Sequence, residues 1–382
     1  MKRFLLMKGL VMCLIVFATF ANAQNINIPD ANFKTALIDA GVDTNSDGEI
    51  SQAEAAAVTD LDVGSHEIES MQGIEYFTNL ENLGCTWNSL TSLDVSNNTN
   101  LQTLYCSYNF DLASLDVSGN ADLQTLECIN CALTTLNVSG NPNLQDLDCA
   151  ANQLTALNVA NNINLQKLRF TSNQLSTLDV SNNINLQHLD YYNNQFTAPV
   201  DVSNNPNLQF LDCGGSNNLF TTLDISGMNS LQVLHCNDLQ LTSLNVSNNS
   251  NLLELSCNNN LLTALNLSNN INLQELWCDS NPLTSLDVSG NVNLLSLNCS
   301  YNQLATLDIS NNTDLTWLQC VETQITSLDL SKNVDLQMLN CNYSQLATLD
   351  ISNNINLQEL YCDSNQLTTL DVSNNANLQT LY

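Results

Sequence analysis

From Leu80 onward the sequence repeats itself with a 21-residue period, and this constrains the fold more than any other feature. Fourteen units begin at Leu80, Leu101, Leu123 and onward to Leu357; those from Leu101 and Leu186 hold 22 residues and that from Leu208 holds 23. Leu357 to Asn377, LQELYCDSNQLTTLDVSNNAN, stands for the rest. A unit this short cannot bury an apolar face alone. It must stack on its neighbours, which makes an open rod whose core runs along the axis.

The first half of a unit fits L-x-x-L-x-C-x-x-N-x-L and the second L-x-x-L-D-V-S-x-N-x-x-L. Alternate residues of a strand share a face. Leu360 and Cys362 therefore face the core from one side, Leu370 and Val372 from the other. Stacked copies predict two parallel sheets around a narrow apolar core. Asn365 and Asn375 are expected to bond backbone groups at the bends, where a buried unpaired amide would be costly. Nothing here has helical spacing.

The first-half pattern is a leucine-rich-repeat signature, with Cys131 in the place of its Asn. The chain resembles the nested-period bacterial leucine-rich repeats sometimes called IRREKO. Leu61 to Leu80, LDVGSHEIESMQGIEYFTNL, departs from the pattern and looks more like an internalin repeat, with Leu61, Val63, Ile68, Met71, Ile74 and Phe77 as its core set. The expected fold is mainly β: a leucine-rich-repeat solenoid with two parallel sheets over residues 61–382, preceded by a small helical cap. The resemblance implies protein binding and names no ligand, because repeat scaffolds host unrelated partners.

Lys2, Arg3 and Lys8 precede an apolar run from Gly9 to Phe20, followed by Ala21-Asn22-Ala23. Residues 1–23 thus read as a bacterial secretory signal, too short to span a bilayer, with a mature chain secreted or at the cell surface and no membrane insertion after cleavage. Removing those three of 7 basic residues leaves 4 against 38 acidic ones, a net charge of −34. Such a surface repels nucleic acid and favours cations and basic partners. Hydrophobic residues at 43%, in strict register, exclude acidic disorder.

Of 14 Cys, twelve from Cys85 to Cys362 fall at one place in the repeat, on parallel strands facing the core. Parallel stacked Cβ vectors suit disulfides poorly. The expectation is buried free thiols packed as small hydrophobes. Cys128 and Cys131 mimic a redox C-x-x-C, but repeat register accounts for both.

Residues 24–60 form the cap. Asp43-Thr44-Asn45-Ser46-Asp47-Gly48-Glu49-Ile50-Ser51-Gln52-Ala53-Glu54 matches an EF-hand calcium loop. Asp43, Asn45 and Asp47 would give side-chain oxygens, Glu49 a backbone carbonyl, Ser51 a ligand or water contact and Glu54 a bidentate carboxylate. Ala31 to Ala40 and Gln52 to Val58 would be the flanking helices. The expected cofactor is a structural Ca²⁺ holding the cap shut.

Within this one chain the second half is nearly constant, whereas the first half varies at its outward third and fifth positions. That asymmetry places recognition on the first sheet. Lys167 and Arg169, two of four basic residues in the mature chain, should project beside His188, Asp190 and Tyr192, then Phe210 and Asp212, then His235. The same units lose the Cys ladder to Phe170 and Tyr191. A mixed basic, acidic and aromatic patch at a register break is the candidate ligand site; drift plus a larger core residue is the plainer account. Exposed Tyr105, Trp277, Trp317 and Tyr361 could stack on sugars or anchor a protein partner. The column of Asp94, Asp116, Asp179 and equivalents to Asp371 is expected to be a solvated, solubilising face rather than a cation site.

The function expected is therefore a binding module for protein–protein interaction or adhesion, with an extracellular protein or glycan as partner. A glycan-binding module is the alternative. A polysaccharide-active β-solenoid enzyme is remote, because the acidic column is uniform and no nucleophile or His-rich metal cluster accompanies it. The chain stops at Leu378–Tyr382, inside a first-half strand, so a partner or further sequence is expected to cover that edge.

Overall fold

The computed structural model describes residues 24–382; the expected secretory signal, residues 1–23, lies outside the described residues. The cap holds two helices close to the expected bounds, α1 (Ala31–Asp39) and α2 (Gln52–Ala57). Asp30 starts α1: its Oδ1 accepts the Asn32 and Phe33 amides at 2.9 and 3.0 Å. Its Oδ2 accepts the Glu69 and Ser70 amides at 2.8 and 2.9 Å, so one carboxylate also pins the cap to the first repeat. Ser51 and Glu54 form a capping box at the start of α2. Phe33, Leu37, Ile50 and Ala55 are buried and continue the solenoid core.

Sixteen strands, β1 (Asp60–Asp62) to β16 (Thr380–Leu381), form one parallel sheet in sequential order. Each rung pairs with the same position one unit on, as Leu255 does with Leu276. The mainly-β solenoid is as the repeat predicts. The second sheet is not: among the described residues, second halves pair as β structure only at the bridges Asp94–Asp116 and Asp116–Asn137.

The reason is local. Asp308 Oδ1 accepts the Ser310 amide at 3.0 Å, and the Asn312 and Leu315 amides go to Ile309 and Asn312 carbonyls at 3.0 and 3.2 Å. Amides spent inside such turns are not free for a ladder. Inward alternation survives without it, with Leu307 and Ile309 both buried.

The Asn residues perform as expected. Asn152 Nδ2 donates to the Cys128 and Cys149 carbonyls at 2.8 and 3.0 Å, and its Oδ1 accepts the Leu133 amide at 3.1 Å. Asn312 Nδ2 donates to Val288 and Asn291 carbonyls at 3.0 and 2.8 Å. All thirteen Cys of the described residues are buried free thiols. Burial pushes the Cys257 thiol up to about 12, and Cys278 Sγ lies 3.5 Å from the Asn298 carbonyl of the next strand.

Two irregular units follow the loss of the Cys ladder. Phe170, Tyr191 and Phe196 fill the core there, with ring centroids of Phe170 and Tyr191 6.1 Å apart. The Tyr191 hydroxyl accepts the Val200 amide at 3.4 Å, in the stretch where the unit from Leu186 carries its extra residue. In the next unit Gly215 adopts φ +103°, and a Cβ there would stand 2.5 Å from the Asn193 nitrogen. Only glycine fits.

Candidate binding face on the strand side

Strands β5 (Asp146–Asp148), β6 (Lys167–Arg169), β7 (His188–Asp190), β8 (Phe210–Asp212), β9 (Val233–His235) and β10 (Glu254–Ser256) lie side by side. Register makes two rows across them. One runs Asp146, Lys167, His188, Phe210, Val233, Glu254; the other Asp148, Arg169, Asp190, Asp212, His235, Ser256. Seven of the eight expected ligand residues stand in these rows. The eighth, Tyr192, follows β7, is 37% exposed, and donates its amide to Asp190 Oδ1 at 3.1 Å.

The charges form two clusters, one reaching back to β5 and one bridging β8 to β10. Arg169 Nε donates to Asp148 Oδ2 at 2.7 Å and its Nη2 to Asp146 Oδ1 at 3.0 Å. Lys167, more exposed, reaches Asp146 at 3.7 Å. His235 Nε2 lies 2.7 Å from Glu254 and its Nδ1 3.5 Å from Asp212. Between the clusters, His188 stacks on Phe210 at 4.0 Å and 4°, and Phe210 meets His235 edge-on at 5.4 Å.

These contacts set the protonation states. Burial opposes a charged His235, but hydrogen bonds and charges of Asp212 and Glu254 outweigh it and raise the imidazole to about 9. Burial, then the charges of Arg169 and Lys167, push His188 down to about 4. Burial, then the negative Asp212, push Asp190 up to about 7. At neutral pH the patch therefore holds a cationic His235, a neutral His188 and an Asp190 poised between its two forms.

The sequence reading missed Asp146, Asp148 and Glu254 as ion-pair partners. They occupy the same variable positions one unit away, and opposite charges on adjacent rungs were the available signal. It also missed an aromatic cluster on the bend beside the strands. Trp87 stacks on Tyr108 at 4.2 Å and 8°, and Phe110, the added residue of the unit from Leu101, meets Trp87 edge-on at 5.9 Å. Trp87 and Tyr108 both hold positive φ, at 55° and 60°. Of the expected aromatics, Trp277 and Trp317 meet at 5.0 Å although a whole unit separates them, Tyr361 stacks on Tyr382, and Tyr105 stands 39% exposed.

On the opposite side the Asp column has a structural explanation. Asp179, Asp287, Asp308, Asp329, Asp350 and Asp371 each accept the amide of a Ser two residues on, which holds their carboxyls below the usual range. Asn137, Asn245 and Asn266 replace Asp in the same role. Both residues suit such a turn, hence their interchange.

In the cap loop, Gly48 takes φ +81° and donates its amide to Asp43 Oδ2 at 2.9 Å. Asn45 and Asp47 accept the Asp47 and Glu49 amides at 2.8 and 2.9 Å. The Glu49 side chain pairs with Lys34 at 2.8 Å, leaving its carbonyl as the group it could offer. Glu54 accepts the Ser51 amide, which with Thr44 lowers its carboxyl to about 2. Among the described residues no three His, Cys, Asp or Glu side chains converge as a metal-holding group. The donor set itself, all oxygen and mixing carboxylate, amide and carbonyl, has the chemistry that suits calcium.

No family model matches the chain. Internalin J of Listeria monocytogenes serotype 4b (strain F2365) is 39% identical over 71 residues, which is 19% of this chain and 8% of that protein. The solved functional domain of InlJ from Listeria monocytogenes, described as including a cysteine ladder, is 35% identical, with a TM-score of 0.77 over 94% of this chain and 75% of that one. The chain belongs to the internalin-type leucine-rich-repeat proteins. An internalin (InlF) of the same species shares the fold at 22% identity, TM-score 0.67, covering 95% of this chain and 98% of that one. In this internalin-type solenoid, among the described residues, no helix is long and apolar enough to cross a membrane.

Proposed function

We propose that the chain is a secreted or cell-surface binding module whose partner, an extracellular protein, docks on the strand side between β5 and β10. One observation carries this. The two outward rows diversify and hold tightly arranged charges and aromatics, whereas the opposite side repeats one Asp–Ser turn from unit to unit. Turn-making explains the constancy of one side, and structure alone supplies no reason for the variety of the other. The likeness to internalins supports binding and adhesion rather than catalysis. A photo-crosslinking residue placed at Lys167 should capture the partner, and one placed at Asp308 should not; capture only from Asp308 would overturn the reading.

A glycan is the second reading, favoured by the paired Trp277 and Trp317 rings on the same side. Binding to an immobilised glycan array that is lost in Trp277→Ala would establish it. For the cap, we propose that Asp43, Asn45, Asp47, Ser51, Glu54 and the Glu49 carbonyl hold a structural calcium ion, whose charge would offset the carboxylates of Asp43, Asp47 and Glu54. The donor chemistry and the Gly48 turn support this.

A further inference from the structure

Among the described residues, the two ion clusters leave one carboxyl between them without an ion-pair partner. Arg169 turns back to β5, and His235 joins Asp212 of β8 to Glu254 of β10. Asp190 accepts a single hydrogen bond, from the Tyr192 amide. Around it stand Lys167 and Arg169 on β6, Phe210 and Asp212 on β8, and His188 and Tyr192 on its own strand and the segment after it, and the charges of Asp148 on β5 and His235 on β9 also act on it. His188 Nε2 is buried and unpartnered, its ring held flat on Phe210. Tyr192 is open to solvent.

We infer that Asp190, with Asp212 beside it and Tyr192 and Phe210 as walls, receives a basic side chain, arginine or lysine, from the protein partner. The inference rests on the reading of the strand side as the docking face, and it names what that face recognises. Charge complementarity argues for it: the mature chain has 4 basic residues against 38 acidic ones, so a basic partner is drawn to it and no surplus cation of its own is available. Geometry argues for this carboxyl in particular. Every other acidic group in the two rows from β5 to β10 already faces a cation, whereas Asp190 is fixed, partly desolvated and unpaired. Charge-assisted hydrogen bonds to such a preorganised acceptor are the stronger kind.

The raised carboxyl gives the pairing a distinctive signature. A cation arriving at Asp190 favours its ionised form and expels the proton, so binding releases protons near pH 7 and tightens as pH rises through that value. His235 remains cationic across this range. The Asp column on the far side cannot imitate the effect, because its carboxyls are held low and are fully ionised at pH 7.

The test is calorimetry of a tri-arginine peptide with the mature chain at pH 7, in phosphate and in Tris, with a tri-citrulline peptide as the neutral control. The expected result is release of about half a proton per peptide bound, no uptake of tri-citrulline, and in Asp190→Asn an affinity lowered about tenfold with no proton release. Asp308→Asn, on the far side, should behave as the parent chain. Circular dichroism confirms that each variant is folded. Absence of proton release in the parent chain, or its persistence in Asp190→Asn, overturns the inference. If crosslinking from Lys167 still captures the partner in that event, the docking face stands and only the Asp190 pairing falls.

Discussion

Arg169 Nε lies 2.7 Å from Asp148 Oδ2, one rung toward the amino terminus, and its guanidinium reaches on to Asp146 at 3.0 Å. Asp148 is 7% exposed, so this arginine compensates a carboxylate that water scarcely reaches. Removing one partner of a buried pair strands the other. Arg169→Ala should therefore destabilise the solenoid by about 2 kcal/mol, less than a fully buried pair because Arg169 is partly exposed. Lys167→Ala, at an exposed 3.7 Å contact, should change the urea midpoint little. Equal midpoints for the two variants would show that Arg169 has no structural share.

The Asn ladder and the Asp column look alike in sequence and should respond differently. Asn152→Ala leaves the Cys128 carbonyl and the Leu133 amide buried without partners, while the Cys149 carbonyl keeps Asn173 Nδ2 at 3.0 Å. A loss of about 3 kcal/mol is expected. Asp308→Ala removes a cap on an exposed turn, so its midpoint should stay close to that of the parent chain. Urea unfolding followed by circular dichroism measures both.

Thiol chemistry should report the core. The ladder Cys from Cys85 to Cys341 are at most 1% exposed, whereas Cys131 and Cys362 are 7% and 8% exposed. Burial raises the ladder thiols well above the range in which thiolate forms at pH 8. Iodoacetamide on the folded chain should label Cys131 and Cys362 first and leave the ladder intact. In denaturant all thirteen should react. Early labelling of Cys257 in the folded chain would contradict the core described.

Calcium in the cap loop should raise stability by mass action, by about 3 kcal/mol at a hundredfold excess over the dissociation constant. The measurement is the melting temperature of residues 24–382 with calcium and with chelator. Asp43→Ala should abolish the difference without touching the repeats. Identical melting curves in calcium and chelator would remove the ion from the account.

Much of the architecture was legible because the 21-residue period fixes which residues meet. Leu255 against Leu276 follows from register alone, as does Arg169 beside Asp148 and Asp190. The second sheet that alternation at Leu370 and Val372 predicts does not form, because inward alternation does not require strand pairing. The Asp308-to-Ser310 spacing, which diverts the amides into a turn, was also in the sequence. The direction of the Arg169 pairing was not, because both neighbouring rungs offer a carboxylate. Nor was the stack of Trp87 on Tyr108, which depends on two aromatic residues holding positive φ in a bend.

The final prediction concerns two neighbours on β7 whose titrations oppose each other. His188 drops from 6.5 to about 4 on folding. The unfolded chain then binds more protons between those values, and the stability tied to this group falls as pH falls through them. Asp190 rises from 3.8 to about 7. Here the folded chain binds more protons, so the contribution is full below 3.8 and is lost as pH rises through 7. Asp190→Asn should accordingly match the parent chain near pH 4 and exceed it by roughly 2–4 kcal/mol at pH 8. His188→Phe should instead gain on the parent only at acid pH. Denaturant midpoints of the three proteins at pH 4, 6 and 8 decide it. If the Asp190→Asn advantage does not grow with pH, that carboxyl is not the strained, cation-poor group from which the binding argument proceeds.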